Sequence, residues 1–161
     1  MRIHIFVTGG TFDKEYDEIK GQLYFNNTHL PELLKLGRCT ADVDVETLMM
    51  LDSLHMLEDD RNKIVESCKQ CENTRIVITH GTDTMVETAE KIAEAKIPKT
   101  IVLTGAMIPY KFGSSDGLFN LGCAMAYVQT LEPGVYITMN GKCVNWNSVL
   151  KNKLTGYFEE K

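Results

Sequence analysis

Residues 75–95, RIVITHGTDTMVETAEKIAEA, contain the pattern that decides the fold. Arg75–Thr79 is short, apolar and β-branched, which predicts a buried strand. After the turn that follows it, apolar residues recur at helical spacing, which predicts a helix over residues 82–95. A strand followed directly by a helix is the repeating unit of a parallel sheet.

The same unit recurs along the chain. Further strands are predicted over residues 3–7, 42–48, 99–103 and 135–139, and further helices over 29–36, 61–71 and 116–128. Asp59 is the expected cap of the helix over 61–71, residues 18–25 are expected to form a small mobile hairpin, and the tail from Gly141 is expected to be irregular. The predicted fold is therefore α/β, an open, mainly parallel sheet with helices on both faces, as one domain over residues 1–161.

Composition and charge exclude several classes of function. The 161 residues carry a net charge of −5, which disfavours nucleic acid as a partner because phosphate binding needs a basic face. No apolar run is long enough to cross a membrane, and the apolar start of the chain is too short for a signal peptide. We therefore expect a cytoplasmic protein.

The cysteines favour a reducing compartment. Their number is odd, five, which suggests free thiols. Cys68 and Cys71 form one CxxC, which allows a zinc or redox role or simply two neighbours on a helix. No second pair of ligands accompanies them, so the helical interpretation is favoured.

Small, hydroxyl-bearing or glycine residues follow nearly every predicted strand. The five stretches are Thr8-Gly9-Gly10-Thr11, Asp52-Ser53, residues 79–84, residues 104–107 and Asn140-Gly141. In open parallel sheets, ligands bind beyond the carboxyl ends of the strands. The pattern predicts a polar pocket at that edge for a small ligand.

Thr8-Gly9-Gly10-Thr11 is the first specific motif. Its glycines allow the backbone to turn sharply and approach a ligand, and its threonines offer hydroxyls as donors or nucleophiles. A phosphate-binding turn is the alternative. The motif matches neither common phosphate-binding pattern, and a polar hairpin is expected to follow it in place of a helix.

His80-Gly81-Thr82-Asp83-Thr84 is the second motif, between a strand and a predicted helix. Backbone N–H groups at the start of that helix could hold an anion or an oxyanion. Helix capping is the alternative for Thr82 and Asp83, although capping needs only one such residue. His80 could be a general base, but a histidine between a buried strand and a glycine is more often a structural hydrogen-bonding group.

These motifs closely resemble those of the bacterial L-asparaginase family. Gly105-Ala106-Met107-Ile108-Pro109 and Ser115-Asp116-Gly117-Leu118-Phe119-Asn120-Leu121 match two further family motifs in the same order, so the resemblance spans nearly the whole chain. It implies the asparaginase N-terminal domain fold, a Rossmann- or flavodoxin-like sheet. It also implies hydrolysis of L-asparagine to L-aspartate and ammonia through a threonine acyl-enzyme, with no metal or organic cofactor.

The resemblance assigns roles to particular residues. The implied catalytic residues are Thr11, Tyr16, Thr82, Asp83 and Lys151, and the implied substrate-binding residues are Ser53, Thr82, Asp83 and Ala106. Tyr24 is an alternative to Tyr16, and Lys153 an alternative to Lys151. Which of the two threonines attacks first stays open, as does the choice between activation of Thr11 through Tyr16 and activation of Thr82 by Lys151.

The sequence also departs from the family pattern. Family members carry a second domain after the lysine region, whereas ten residues follow Lys151 here, so we expect a single-domain form assembled as a homo-dimer or tetramer. Leu54 and His55 replace a polar pair beside the substrate serine, which suggests a more open pocket. Two other functions stay open: a non-catalytic aspartate- or asparagine-binding module, and an amidase for glutamine or another small amide.

Overall fold

A computed structural model describes all 161 residues. The strands are β1 (Arg2–Gly9), β2 (Lys14–Asp17), β3 (Gln22–Phe25), β4 (Asp42–Leu51), β5 (Arg75–Thr79), β6 (Thr100–Thr104), β7 (Gly134–Met139), β8 (Lys142–Asn145), β9 (Val149–Lys151) and β10 (Phe158–Glu160). The α-helices are α1 (Leu30–Leu36), α2 (Glu58–Gln70), α3 (Met85–Glu94) and α4 (Gly117–Thr130). None of these helices combines the length and the apolar composition that a membrane crossing requires.

Six strands form the central sheet in the order β4-β1-β5-β6-β7-β8. All neighbouring pairs are parallel except β7 and β8. The prediction of an open, mainly parallel sheet is confirmed. Because the chain leaves β1 toward β4 and returns past it to β5, the strand order reverses between β1 and β5, which is where this class of sheet binds ligands.

Helices cover both faces, because successive side chains of a strand point to opposite sides. On β5, Ile76 and Ile78 pack with α2 and α3, while Val77 between them packs with α1 and α4. Because both faces of these strands are buried, their sequences are continuous apolar runs, as is typical of buried parallel strands. Both helical layers hold the carboxyl edge of the sheet in place.

Three local predictions are wrong. Helix α3 begins at Met85, with Thr84 as its N-cap residue, so Thr82 and Asp83 lie in the preceding turn. Helix α2 begins at Glu58, and the Asp60 carboxylate, not that of Asp59, accepts the Leu57 N–H. The tail is ordered: β8 extends the central sheet, and β9 pairs with β10 because buried Val149 and Phe158 anchor both strands in the core.

A small antiparallel hairpin, β2–β3, leaves the sheet directly after the first motif. We call residues 14–25 the flap; it begins four residues earlier than predicted. Buried Asp13 holds its base, because the carboxylate accepts hydrogen bonds from the His29 N–H (2.8 Å) and the Thr28 hydroxyl (3.0 Å). Burial raises the pKa of Asp13.

Candidate active site

The two motifs lie side by side at the point where the strand order reverses. A Cβ on Gly10 would stand 2.4 Å from the Gly81 nitrogen, and one on Gly81 would stand 2.4 Å from Ser53 Oγ. Gly10 also has a φ of +81°, which favours glycine. The absence of side chains at Gly10 and Gly81 lets three loops from β1, β4 and β5 meet in one place.

Lys151 reaches the second motif from β9. Its Nζ lies 2.7 Å from Thr82 Oγ1 and 2.6 Å from Asp83 Oδ1. The Lys151 side chain is 12% exposed and that of Asp83 is 47% exposed, so the ion pair sits at the rim of the protein. Thr82 is buried, and the Thr82 hydroxyl donates to the Met107 sulfur at 3.5 Å. The structure thus joins three of the predicted site residues, while Lys153 is exposed and forms no such bond.

Helix capping does not account for Thr82 and Asp83. Both residues precede the N-cap position of α3, and neither side chain bonds to the first turn of that helix. Their polar atoms are instead engaged by Lys151. Because α3 begins at Met85, the backbone N–H groups nearest to Thr82 belong to the preceding turn and not to the first turn of the helix.

Ser53 is placed beside this group. It is 1% exposed, and its Oγ has no hydrogen-bond partner within the protein. The Thr84 hydroxyl donates to the Ser53 carbonyl at 2.9 Å, and Lys14 forms an ion pair with Asp52. An unpartnered, buried hydroxyl is costly unless something else binds it, which suits a ligand contact.

Ala106 lies in a turn that α4 holds in place. The Asp116 carboxylate accepts from the N–H groups of Met107 and Ile108 at 3.0 Å each. The fully buried Asn120 side chain donates to the Gly105 carbonyl at 2.9 Å and accepts from the Asn140 N–H at 3.0 Å. The side chains of Asp116 and Asn120 therefore fix this turn.

The flap side of the site is less constrained. Thr11 opens a three-residue 3₁₀ turn, is half-buried, and its hydroxyl forms no hydrogen bond with the protein. Tyr16 is 53% exposed, and its hydroxyl also lacks a partner. The Tyr24 hydroxyl donates to Glu15 at 3.0 Å, and this bond raises the pKa of Tyr24. The structure brings Thr11 to the site through Gly10, whereas it leaves Tyr16 unbonded on the flap.

His80 is buried completely and bonded within the protein. Its Nδ1 lies 2.8 Å from the Gly81 carbonyl oxygen, and its Nε2 lies 2.8 Å from Thr88 Oγ1. Burial lowers the pKa of His80 to about 4. A ring with both nitrogens occupied and no solvent access fits the structural interpretation.

Groups with metal-binding or redox potential do not cluster. No set of three or more His, Cys, Asp or Glu side chains could jointly hold a metal ion. All five cysteines are free, and burial raises the pKa of the Cys68 thiol to about 12. A thiol with so high a pKa is a poor nucleophile. Cys68 lies in α2, whereas Cys71 is the C-cap residue that follows this helix, so the predicted helix over residues 61–71 ends one residue earlier than expected.

Comparison with known proteins places the chain in a family. The family model described as "Asparaginase, N-terminal" matches residues 2–157. The chain belongs to the asparaginase family and contains its N-terminal domain.

Individual relatives agree with this placement. A probable periplasmic L-asparaginase of Haemophilus influenzae is 34% identical over 168 aligned positions, covering 95% of this chain and 47% of the relative. The thermostable L-asparaginase of Thermococcus kodakarensis superposes with a TM-score of 0.86 at 27% identity, covering 99% of this chain and 51% of that one. A probable cytoplasmic L-asparaginase from Campylobacter jejuni superposes with a TM-score of 0.85 at 31% identity. The match covers 99% of this chain and 52% of that one. The chain thus spans about half the length of the relatives it matches.

Several residues that shape the site carry no signal of their own in the sequence. Asp13, Lys14 and Asn120 act through partners that are distant in the chain. Asn120 lies within a recognised motif, but its two backbone contacts depend on how α4 packs. Thr84 lies within the second motif, yet its bond to the Ser53 carbonyl forms only in the folded protein.

Proposed function

We propose that the protein hydrolyses the side-chain amide of L-asparagine to give L-aspartate and ammonia. One observation carries the proposal: Lys151 contacts both Thr82 and Asp83, directly beside the turn that holds Thr11. Relatives named L-asparaginase support the same substrate.

The chemistry begins at a threonine hydroxyl. The oxygen attacks the amide carbon of the substrate, and the hydroxyl proton must leave as the new C–O bond forms. Lys151 is placed to accept that proton from Thr82 once its own amine is unprotonated. Tyr16 is the corresponding group for Thr11, if the flap closes to bring it within hydrogen-bond distance.

Breakdown of the tetrahedral intermediate completes the reaction. The C–N bond breaks, the nitrogen leaves as ammonia after taking up a proton, and an ester links the substrate to the threonine. Water then adds to the ester, and aspartate departs while the threonine regains its proton. The Thr82 N–H has no acceptor within the protein, so it is available to the oxyanion, and one well-aimed donor is worth roughly 3 kcal/mol.

Polar groups around the threonines suit the remaining parts of asparagine. Ser53 Oγ is free to bind the α-carboxylate, and the exposed edge of Asp83 is free to bind the α-ammonium. The backbone of Ala106, held by Asp116 and Asn120, is placed to contact the side-chain amide. These contacts would select a four-carbon amino acid with one amide.

Ammonia release from asparagine by the purified chain is the direct test. We expect turnover that Thr11→Val and Thr82→Val each abolish while both variants keep the wild-type circular dichroism spectrum. Folded wild-type protein that binds aspartate but releases no ammonia would instead support a non-catalytic sensor. Faster release from glutamine than from asparagine would make the protein a different amidase.

We also propose that this chain works as one catalytic domain within a homo-dimer or tetramer in the cytoplasm. Exposed apolar side chains near the site, including Met107, Phe119 and Tyr157, support self-association. The free cysteines suit a reducing compartment. Analytical ultracentrifugation of the active protein tests the assembly, and a sedimentation coefficient of a monomer at assay concentration would reject it.

A further inference from the structure

His80 takes no direct part in the proposed reaction. It is fully buried and immediately precedes Gly81 and Thr82, whose backbone lies in the site. Because a carbonyl oxygen only accepts hydrogen bonds, the contact with Gly81 requires the ring proton on Nδ1. Nε2 is then an acceptor, and the Thr88 hydroxyl donates to it. The low pKa of His80 keeps the ring in this singly protonated form at neutral pH.

The bond to the Gly81 carbonyl fixes a peptide plane in the site. Every peptide bond in the protein is trans, so the Gly81 C=O and the Thr82 N–H point in opposite directions. Gly81 has no side chain to restrict its φ and ψ, so the orientation of this peptide depends on the contacts around it. With the carbonyl held against His80, the Thr82 N–H points away from the buried ring and remains unbonded within the protein.

We propose that His80 is a positioning residue: its hydrogen bond to the Gly81 carbonyl, supported by the Thr88 hydroxyl, orients the Thr82 N–H for the oxyanion. This inference rests on the proposed amide hydrolysis. The chain of contacts runs from α3 through Thr88 and His80 to the peptide that precedes Thr82. A rotated peptide would turn the Gly81 carbonyl, a negative dipole, toward the developing negative charge.

A matched pair of variants at Thr88 tests this series of contacts without altering a group at the reacting atoms. Thr88 is buried in α3, so Thr88→Val keeps its shape and removes the donor to Nε2, while Thr88→Ser keeps the donor. Without that donor the ring can place its proton on Nε2 and release the Gly81 carbonyl. We expect kcat for asparagine to fall roughly 10–100-fold in Thr88→Val, less than the full loss of an oxyanion donor, with KM within about twofold.

Thr88→Ser should keep most of the wild-type kcat. Melting temperatures of the wild type and the two variants should show whether stability falls in the same order as kcat. A merely structural role predicts two destabilised variants whose folded fractions have wild-type kcat. That outcome, or an increase in KM at constant kcat, would overturn the proposal.

Imidazole ¹⁵N NMR of the wild-type protein decides the point even if no variant folds. We expect the His80 signals of the Nδ1–H tautomer at neutral pH and a shift of the Thr82 amide on titration with aspartate. An Nε2–H tautomer, or an unmoved Thr82 amide while aspartate binds, would overturn the positioning role. Absence of ammonia release by the wild type would reject the proposed function alone, since the tautomer and the amide shift are measured without turnover.

Discussion

The two turns that meet in the site differ in how firmly the protein holds them. The turn at residues 80–83 is buried as far as Thr82, and Thr88, Lys151 and the edge of β6 bind it through side-chain and backbone hydrogen bonds. The turn at residues 8–11 is buried as far as Gly10 and leads into the flap, but the hydroxyls of Thr11, before the flap, and of Tyr16, on it, lack partners. The difference indicates that the turn at residues 80–83 is preorganised, whereas the turn at residues 8–11 and the flap can adapt to a ligand.

Removing the amine of Lys151 should have the largest effect, because it deprives the firmly held turn of its proton acceptor. Lys151→Met keeps much of the side-chain packing, and we expect kcat/KM for asparagine to fall about 10²–10⁴-fold, the range for loss of a general base. Lys153→Met removes a similar charge from an exposed position and should leave the rate nearly unchanged. Equal losses in the two variants would show that general surface charge, and not the contact with Thr82, matters.

Acid should destabilise the firmly held turn through His80. The pKa of His80 is about 4 in the folded protein, below its ordinary value of 6.5, so the unfolded chain binds a proton first as the pH falls. The stabilisation is complete above pH 6.5 and is lost between there and about pH 4, by on the order of 3 kcal/mol. The free energy of unfolding from urea titrations at pH 7 and pH 4 measures it. His80→Gln should lose correspondingly less over the same interval.

An alanine at position 10 should break the contact that joins the two turns. Gly10→Ala introduces a Cβ 2.4 Å from the Gly81 nitrogen at a positive φ, and we expect a loss of about 2–4 kcal/mol in the free energy of unfolding. Gly113→Ala has a similar φ of +84° but open space around the new atom, so it should lose only about 1–2 kcal/mol. Denaturant titrations of both variants separate the contact from the backbone strain, and equal losses would mean that the two turns do not press on each other.

Changes on the flap should have the smallest effects in the absence of substrate. Tyr16→Phe should leave stability unchanged, since its hydroxyl has no partner, but should lower kcat about tenfold if that hydroxyl assists Thr11. Tyr24→Phe removes only the exposed bond to Glu15 and should change the rate little. A reversed order of rates would move the assisting role to Tyr24.

The parallel sheet could be predicted because buried strands carry continuous β-branched runs, and Arg75–Thr79 has no other reasonable interpretation. The start of α3 could not, because Thr82 and Asp83 have good capping chemistry and their bonds to Lys151 span 69 and 68 residues. Strand β8 is too short for a recognisable alternation and depends on pairing with β7. The preference for Lys151 over Lys153 came from the family resemblance, since two lysines separated by one residue are equivalent on composition alone.

The attachment of Lys151 to the late strand β9 has a consequence for synthesis of the protein. The turns that hold Thr11 and Thr82 follow β1 and β5. The Lys151 amine that contacts Thr82 belongs to β9, which leaves the ribosome after all the parallel strands. We expect a growing polypeptide to form a recognisable sheet while still lacking hydrolytic power. On the proposed function, the catalytic group at Thr82 would then be complete only once β9 has been synthesised and has paired with β10.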